Sequence, residues 1–173
     1  MPVIDHWTIV DTGSTDGTQS LVSEVLAAIP GQCVDRPWEN FAHNRTEAFR
    51  IAESKTDYLL VLDADDRLEL DQGTTKAFLA AQLDCDAHFL TVIDNDTSYG
   101  RLHFFRSSCR WRYEGVVHEY AVCDQPHSKG QISGARYIRI GGGNRSVENN
   151  KFERDIKVLL DALKSEPDNS RYV

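Results

Sequence analysis

The feature that most constrains the fold is the apolar run from Tyr58 to Leu62, which leads into the acidic stretch Asp63-Ala64-Asp65-Asp66. Within that run, the tyrosine hydroxyl is the only polar side-chain group. An uninterrupted run of this length predicts a strand covered on both faces, which is typical of a parallel sheet between helices. Such a strand exposes little except its carboxyl end, so we expect the acids at an edge of the sheet.

Strand and helix patterns alternate in the first half of the chain, and strand patterns are more frequent in the second. The predicted strands span 7–10, 32–35, 58–62, 87–93, 102–106 and 135–140, with turn-forming residues at 94–100. The predicted helices span 15–28, 44–54, 70–83 and 147–164. This order predicts one α/β domain with a mixed or partly antiparallel sheet.

Composition narrows the classes of function. A chain of 173 residues is long enough for one domain with its own core. The net charge of -8 argues against nucleic acid and anionic membrane as partners, because both require basic patches. No apolar run is long enough for a membrane span, and no signal-peptide pattern begins the chain. The widely spaced cysteines predict free thiols and a cytoplasmic location; they are Cys33, Cys85, Cys109 and Cys123.

A second predicted strand, 7–10, also ends in an acid, Asp11. Ligands of open α/β sheets bind outside the carboxyl ends of the strands, so Asp11 and Asp63 are expected at the same edge. Both acids are therefore candidate ligand-binding residues.

The loop after Asp11 is rich in glycine and hydroxyl residues. Gly13 and Gly17 allow tight turns and a close approach of a ligand to the backbone. Ser14 and the helix that follows can offer hydroxyl and N–H groups. The alternative is a plain turn whose helix is capped by Thr15 or Asp16.

The stretch 63–66 predicts a metal site. Three neighbouring carboxylates repel one another unless a cation neutralises them. Carboxylate oxygens are hard ligands that suit Mg²⁺ or Mn²⁺, and such a cation often bridges protein carboxylates to a phosphate. The alternative is a solvated acidic turn that caps the next helix.

Four segments, taken together in this order, resemble glycosyltransferase family 2. They are Val10–Thr18, Asn40–Arg45, Leu60–Asp66 and Trp111–Glu119, the last of which is similar to the G-x-V-H-E segment of a bacterial subgroup. The resemblance implies a GT-A (Rossmann-like) nucleotide-diphospho-sugar transferase fold, with a mixed central sheet flanked by helices. It also implies a DxD motif, Asp63 and Asp65, that holds Mn²⁺ or Mg²⁺ against a nucleotide-sugar donor.

The resemblance further implies which residues meet the donor. Candidate nucleotide-binding residues are Asp11, Gly13, Ser14, Asn44, Arg45, Ala64 and Arg145. Arg145 follows three glycines, which form either a mobile flap or a plain loop. The expected division is a nucleotide- and metal-binding half (1–84), an acceptor-side half (85–146) and a C-terminal helix (147–173).

The reaction that the resemblance implies is an inverting transfer, which needs a carboxylate to take a proton from the acceptor hydroxyl. Glu119 is the first candidate for this catalytic base and Glu114 is the second. His118 is a candidate third metal ligand, with a hydrogen-bonded buried histidine as the alternative. If 116–119 is a regular strand, His118 faces the site and Glu114 is the better base; a turn there favours Glu119.

The chain departs from the family pattern at both ends. It starts about one βα unit late, and its last residues resemble the approach to a helical repeat. We therefore expect an N-terminally truncated fold whose exposed sheet edge can pair with another copy. The acceptor, a glycan, a lipid-linked group or a protein, is not indicated.

Two other classes of function stay open from the sequence. One is a non-catalytic module that keeps the fold and binds a nucleotide, a glycan or a protein. The other is a phosphohydrolase of the haloacid dehalogenase type, because 61–65 also fits an apolar strand followed by Asp-x-Asp. Arg67 stands where that family usually has threonine or valine.

Overall fold

The computed structural model describes residues 3–141, 151–169 and Tyr172. The strands in these ranges are β1 (Trp7–Asp11), β2 (Gly31–Asp35), β3 (Tyr58–Leu60), β4 (Arg67–Leu70), β5 (Ala87–Asp94), β6 (Thr97–Arg106), β7 (Arg112–Glu114), β8 (Tyr120–Val122) and β9 (Lys129–Ile138). The helices are α1 (Thr18–Val25), α2 (Phe41–Ala52), α3 (Lys76–Ala80) and α4 (Lys151–Ser165), and a 3₁₀ turn spans Ser107–Cys109. None of the helices in the described ranges is long and apolar enough to cross a membrane.

The strands form a five-stranded sheet of order β3-β6-β5-β9-β4 and two smaller sheets. Within the large sheet, β5 and β9 are parallel and the other neighbours are antiparallel. Strands β1 and β2 form a separate parallel pair, and β7 and β8 form an antiparallel hairpin. The predicted mixed sheet is confirmed.

Helices and loops cover the two faces of the large sheet. Because neighbouring residues of a strand point to opposite faces, β6 places Phe104 in one apolar cluster and Phe105 in the other. The first cluster is closed by Leu79 of α3 and the second by Phe49 of α2. Helix α2, which contains one of the predicted nucleotide-binding segments, is thereby fixed against the sheet.

The prediction that 58–62 is a parallel strand was wrong. Strand β3 ends at Leu60 and pairs antiparallel with β6, at one edge of the large sheet. Its apolar residues are explained by burial: Leu59 packs against Phe105 and Trp111 in the second cluster. An apolar run shows that a strand is covered, but not the direction of its neighbour.

The predicted helix over 70–83 was also wrong. Residues 67–70 form β4, paired with β9, and only Lys76–Ala80 are helical. Charged and leucine residues alternate along β4, so Leu68 and Leu70 share one face and pack on the first cluster. Thr75 then caps α3, its side chain accepting a hydrogen bond from the Phe78 N–H.

Other element boundaries differ by a few residues. Helix α1 begins after Gly17, which adopts a left-handed backbone with φ of 87°, and not at Thr15. Helix α2 begins at Phe41 because Asn40 caps it, accepting a hydrogen bond of 2.8 Å from the His43 N–H. Strand β6 extends into the predicted turn, β9 starts six residues before the predicted strand 135–140, and the β7–β8 hairpin was not predicted.

Candidate active site

Asp11 lies at the end of β1, where its carboxylate folds the loop that follows. Its side chain is almost completely buried, and Oδ1 accepts hydrogen bonds from the N–H groups of Gly13 at 3.0 Å and Ser14 at 2.8 Å. The side chain of Gln19 in α1 donates a third, at 3.1 Å. These bonds, those from Ser14 above all, hold the pKa of the Asp11 carboxyl far below its usual range.

The loop therefore uses the Ser14 N–H, one of the groups that the sequence analysis offered to a ligand. The N–H groups of Gly13 and Ser14 point at Asp11. Both residues are themselves exposed, and a Cβ at Gly13, whose φ is 107°, would meet no atom within 4 Å. The loop keeps an open outer surface beside the end of β1.

Asp63 is the centre of a charge cluster that also contains Arg45 and Glu119. The Arg45 guanidinium donates a hydrogen bond from Nη2 to Asp63 Oδ1, and its Nε lies 2.9 Å from Glu119 Oε1. The three side chains are each about four-fifths buried, with exposed fractions of 24%, 23% and 16% for Arg45, Asp63 and Glu119. One arginine thus balances two carboxylates that come from segments far apart in the sequence.

The ionised states of this pair support each other. Burial alone would lower the pKa of Arg45, but Asp63 and Glu119 outweigh it and raise that pKa. Burial would likewise raise the pKa of Asp63, but Arg45, Tyr137 and Arg101 together lower it. Asp63 and Arg45 are therefore both charged over the whole neutral range.

The second oxygen of Asp63 is held by residues of the large sheet. Tyr137 Oη, on β9, lies 3.0 Å from Asp63 Oδ2 and 2.6 Å from Asp66 Oδ2, and the Asp63 N–H donates to it at 3.3 Å. Arg101 Nη2, on β6, lies 3.5 Å from the same Asp63 oxygen. Burial raises the pKa of Tyr137, so its hydroxyl keeps the single proton that it shares with the two acids.

His103 positions Arg101. Its Nε2 accepts a hydrogen bond of 3.0 Å from Arg101 Nε, so its Nδ1 carries the proton and donates to the Val61 carbonyl at 2.7 Å. Burial lowers the pKa of His103 to about 4, which keeps the ring neutral. The Arg101 guanidinium also lies 4.6 Å from the centre of the Tyr137 ring, a cation–π distance.

Asp65 and Ala64 form the exposed turn at the tip of the acidic stretch. The Asp66 N–H donates to the Asp63 carbonyl at 3.2 Å and closes this turn. Asp66 itself accepts a hydrogen bond of 3.0 Å from the Ile140 N–H. The turn therefore leaves Asp65 exposed, and the carboxylates of Asp63 and Asp66 accept hydrogen bonds within the protein.

The two candidate bases are in different surroundings. Glu119 lies in the cluster with Arg45 and Asp63. Glu114 is on β7, where Arg112 donates to its Oε1 from Nε at 3.1 Å and from Nη2 at 2.6 Å, and the Tyr120 hydroxyl lies 3.3 Å from its Oε2. Glu114 is thus held by its own hairpin.

The segment 115–119 is a loop and not a strand. Gly115 and His118 have positive φ values of 97° and 55°, so the chain reverses direction between β7 and β8. This is the geometry that the sequence analysis required for a base at Glu119. His118 is exposed on the same loop, and its role as a metal ligand stays a prediction.

Asn44 has a structural role. Its side chain is buried, and it donates to the Pro37 carbonyl at 3.0 Å and accepts from the Glu39 N–H at 3.0 Å. Both ends of the amide therefore hold the segment before α2, which leaves Arg45 as the residue of that motif that reaches the cluster. Arg145 lies outside the described residues.

Sequence reasoning missed Arg101, His103 and Tyr137. All three are brought to Asp63 by strand pairing within the large sheet. The only signal was that Arg101 and His103 stand two apart on a strand, which places them on one face.

Comparison with known families concerns the first part of the chain. Residues 5–72 match the model of "Glycosyl transferase family 2". This segment belongs to glycosyltransferase family 2. The predicted family resemblance is thereby confirmed, and the family 2 segment includes Asp11, Arg45, Asp63 and Asp65. It ends before the β7–β8 hairpin.

Two individual proteins extend the comparison. The chain is 33% identical over 111 residues to a TPR repeat-containing protein of Synechococcus elongatus, a match that covers 63% of this chain and 25% of the relative. Its structure is similar to that of S. aureus TarS residues 1–349 in complex with UDP-GlcNAc. That likeness has a TM-score of 0.53 at 12% identity and covers 94% of this chain and 59% of the other. It confirms the predicted GT-A type of fold.

Proposed function

We propose that this chain is a metal-dependent inverting glycosyltransferase domain, which moves a sugar from a nucleotide-sugar donor to an acceptor hydroxyl. The observation that carries the proposal is the cluster in which Arg45 joins Asp63 of the DxD motif to Glu119. This cluster lies in a chain that contains a family 2 segment and has a GT-A type of fold.

The donor would bind between the end of β1 and the turn 63–66. Arg45 and Arg101 supply the positive charge for a diphosphate, and the Asp11 loop with Gly13 and Ser14 would face the nucleoside. TarS binds UDP-GlcNAc, which makes this nucleotide sugar the first donor to test. Ala64 and Arg145 stay predicted donor contacts.

The acidic turn offers oxygen ligands to a divalent cation, chiefly at Asp65, because both carboxylate oxygens of Asp63 already accept hydrogen bonds. Asp65 is exposed at its tip, Asp63 stands two residues away, and carboxylate oxygens are the ligands that Mg²⁺ and Mn²⁺ prefer. Asp63 and Asp65 would hold the cation, with His118 as the third candidate. The bound cation would neutralise the charge that the leaving nucleoside diphosphate acquires.

Glu119 would take the proton from the acceptor hydroxyl. Its carboxylate faces Arg45, so the arginine orients it beside Asp63. As the hydroxyl oxygen attacks the sugar, the proton passes to Glu119 and the diphosphate leaves toward Arg45 and Arg101.

A non-catalytic binding module is the second candidate, and one observation favours it. Asp63 is already paired with Arg45 and Arg101, so the charges of the site are balanced without a ligand. The same pairing, together with the GT-A type of fold, argues against the phosphohydrolase, in which this aspartate would have to attack a phosphate.

An assay of product release separates the three functions. The 173-residue chain is incubated with UDP-GlcNAc and other nucleotide sugars, with and without Mn²⁺, and both nucleoside diphosphate and inorganic phosphate are measured. A transferase releases nucleoside diphosphate in the presence of Mn²⁺, and Asp65→Asn should abolish that release. Inorganic phosphate alone would support the phosphohydrolase, and binding without either product would support the module.

A cytoplasmic location and pairing of copies through a sheet edge stay predictions from the sequence, which does not indicate the acceptor. The chain spans a quarter of the length of its curated relative, so the acceptor, location and assembly of the whole protein stay proposals.

A further inference from the structure

A second cluster of potential metal ligands lies away from the DxD turn, between α3 and β5. Ligand atoms of Asp84, Cys85 and His88 lie within 4.8 Å of one another. Nε2 of His88 is 3.2 Å from Asp84 Oδ1, and Cys85 is a free thiol. The His88 ring is completely buried, whereas Asp84 is largely exposed, so the cluster opens to solvent on one side.

The surroundings of His88 Nε2 cannot be satisfied by any protonation state of the ring. The Cys85 N–H points at Nε2 from 3.2 Å and requires an unprotonated nitrogen, whereas the Asp84 carboxylate beside it requires a proton there. The other ring nitrogen, Nδ1, is buried with no hydrogen-bond partner in the described residues. With the ring proton on Nδ1, the Nε2 lone pair and Asp84 Oδ1 face each other, and a cation between them would bind both in exchange for the contact of Nε2 with the Cys85 N–H.

The backbone of this cluster is held in place by neighbouring strands. The Tyr58 hydroxyl lies 3.0 Å from the Leu83 carbonyl and 2.6 Å from the Cys85 carbonyl. Arg106 donates to the carbonyls of Asp84 and Cys85, at 3.2 Å and 3.3 Å. Such support fixes the backbone that carries Asp84 and Cys85, and a rigid backbone helps to preorganise a metal site.

Asp86 fastens the other side of the same loop. Its carboxylate accepts hydrogen bonds from the N–H and the hydroxyl of Ser128, at 2.9 Å and 2.8 Å, and pairs with Arg106 at 3.1 Å. Asp86 is therefore occupied, and Asp84, Cys85 and His88 are the side chains that face one another.

Gly130 on β9 has no side chain, and the cluster occupies the space that a side chain would fill. A Cβ at this position would lie 2.7 Å from His88 Cδ2, 3.1 Å from Nε2 and 3.3 Å from Cys85 Sγ. The φ of Gly130 is not in the left-handed region, so what excludes a side chain here is the neighbouring cluster and not the backbone.

We propose that Asp84, Cys85 and His88 bind one zinc ion, or a similar thiophilic divalent cation, with water in the fourth position. One sulfur, one imidazole nitrogen and one carboxylate oxygen form a donor set typical of Zn²⁺ and unlike the all-oxygen set of Mg²⁺. On binding, the Cys85 thiol releases its proton to solvent and forms the S–Zn bond. The three ligand atoms, which lie within 4.8 Å of one another, would have to approach to the separation of about 3.5 Å that tetrahedral zinc gives its ligands.

The site is chemically distinct from the DxD turn, so its test is independent of the proposed transferase activity. Cobalt(II) is added to the reduced 173-residue chain, and the near-ultraviolet sulfur-to-cobalt charge-transfer band is recorded. We expect one equivalent to give the band and zinc to abolish it. Cys85→Ser and His88→Gln should lose the band, whereas Cys33→Ser and Asp65→Asn should keep it.

A second measurement uses the unaltered protein. Alkylation of each cysteine by iodoacetamide is followed by mass spectrometry, with and without one equivalent of zinc. Labelling of Cys85 should slow at least about tenfold with zinc, since a metal-bound thiolate is shielded, and labelling of Cys33 should not change. Absence of the cobalt band, or unchanged labelling of Cys85 with zinc present, would overturn the proposal.

Discussion

Arg45 sets the charge balance of the candidate active site, because its guanidinium lies between Asp63 and Glu119. Without this cation, two mostly buried carboxylates would stand close together and repel each other. The same position explains how the site could work: a diphosphate that attracts Arg45 would loosen its contact with Glu119. Tests at this scale should therefore compare a side chain in this cluster with one of the same type outside it.

Glu119 and Glu114 form a matched pair for such a test. In Glu119→Gln we expect turnover to fall by about a hundredfold or more, because amide nitrogen cannot accept the proton, with little change in nucleotide affinity. Glu114→Gln should keep near-normal turnover, since that carboxylate is held by Arg112 and Tyr120. Steady-state kinetics and calorimetry measure both. Near-normal turnover of Glu119→Gln would exclude it as the base.

His103 predicts a pH dependence of stability. Its pKa is lowered to about 4 from an ordinary 6.5, so the folded state favours the neutral ring. The stabilisation is complete above about pH 6.5 and is lost as the pH falls toward 4, where the unfolded chain binds the proton more readily.

We therefore expect the free energy of unfolding of the parent to fall between pH 7 and pH 4.5, and to fall less in His103→Gln. Urea unfolding at several pH values measures this difference. The control is Cys33→Ser, which changes no histidine or carboxylate and should keep the parental pH dependence in this range. An unchanged pH slope in His103→Gln would mean that another group titrates.

At the residue scale, three of the residues that the sequence proposed lie together in the structure. Asp63, Arg45 and Glu119 were singled out because each stands in a short motif with a recognisable order, and their roles stay predictions. Arg101 and Tyr137 were not, because polar residues in a strand look the same whether they face solvent or a buried acid. Only the pairing of β3, β6 and β9 decides that they meet Asp63.

At the scale of elements, β9 contains a bulge whose backbone accepts hydrogen bonds from the segment before α3. Its register against β5 shifts between Phe89 and Thr91, so that residues 132–135 of β9 stand opposite Leu90. Gly134 lies in this bulge with φ of 78°, and its carbonyl accepts hydrogen bonds from the Asp71 N–H and the Thr74 hydroxyl.

Gly134→Ala should lower the free energy of unfolding more than a glycine substitution at a similar backbone angle. A Cβ at 134 would lie 2.7 Å from Thr74 Oγ1 and 2.8 Å from Phe78 Cε1. Gly73, with φ of 84°, has nothing within 4 Å and is the control. We expect about 1 kcal/mol for Gly73→Ala and about 2–4 kcal/mol for Gly134→Ala, measured by urea unfolding. Equal losses would mean that the bulge accommodates the methyl group.

The prediction of a helix between 70 and 83 failed because part of this segment pairs with a distant strand. Leucine and alanine residues there fit a helical spacing, and the strand β4 is defined by its pairing with β9, more than sixty residues later. Local patterns predicted β1, β5 and the described part of the last helix because their apolar residues follow strand-like or helical patterns in the sequence itself. They could not predict β4 or the β7–β8 hairpin, which depend on distant partners.

At the scale of the whole molecule, the fold is uneven in its packing. Leu90 and Val92 of β5 and Phe105 of β6 are completely buried, whereas α1 has no buried residue, and Leu21 and Val25 are 60% and 69% exposed. The described part of β1 pairs with β2 alone and is not a strand of the five-stranded sheet. The unit β1–α1–β2 should therefore open at a lower free energy than the large sheet.

Native-state hydrogen exchange measures this difference. Amides of β1 and β2 should exchange faster than those of β5 and β6. Their free energy of opening should be lower than that of the large sheet. The proposed donor site joins the loop after β1 to the turn 63–66, so UDP with Mn²⁺ should slow exchange in β1 and β2 more than in the large sheet. Asp65→Asn should remove that protection while leaving exchange without ligand unchanged. If amides of β1 and β2 exchange as slowly as those of β5 without ligand, the two sheets open together. The looser packing of α1 then does not lower the free energy of opening of β1 and β2.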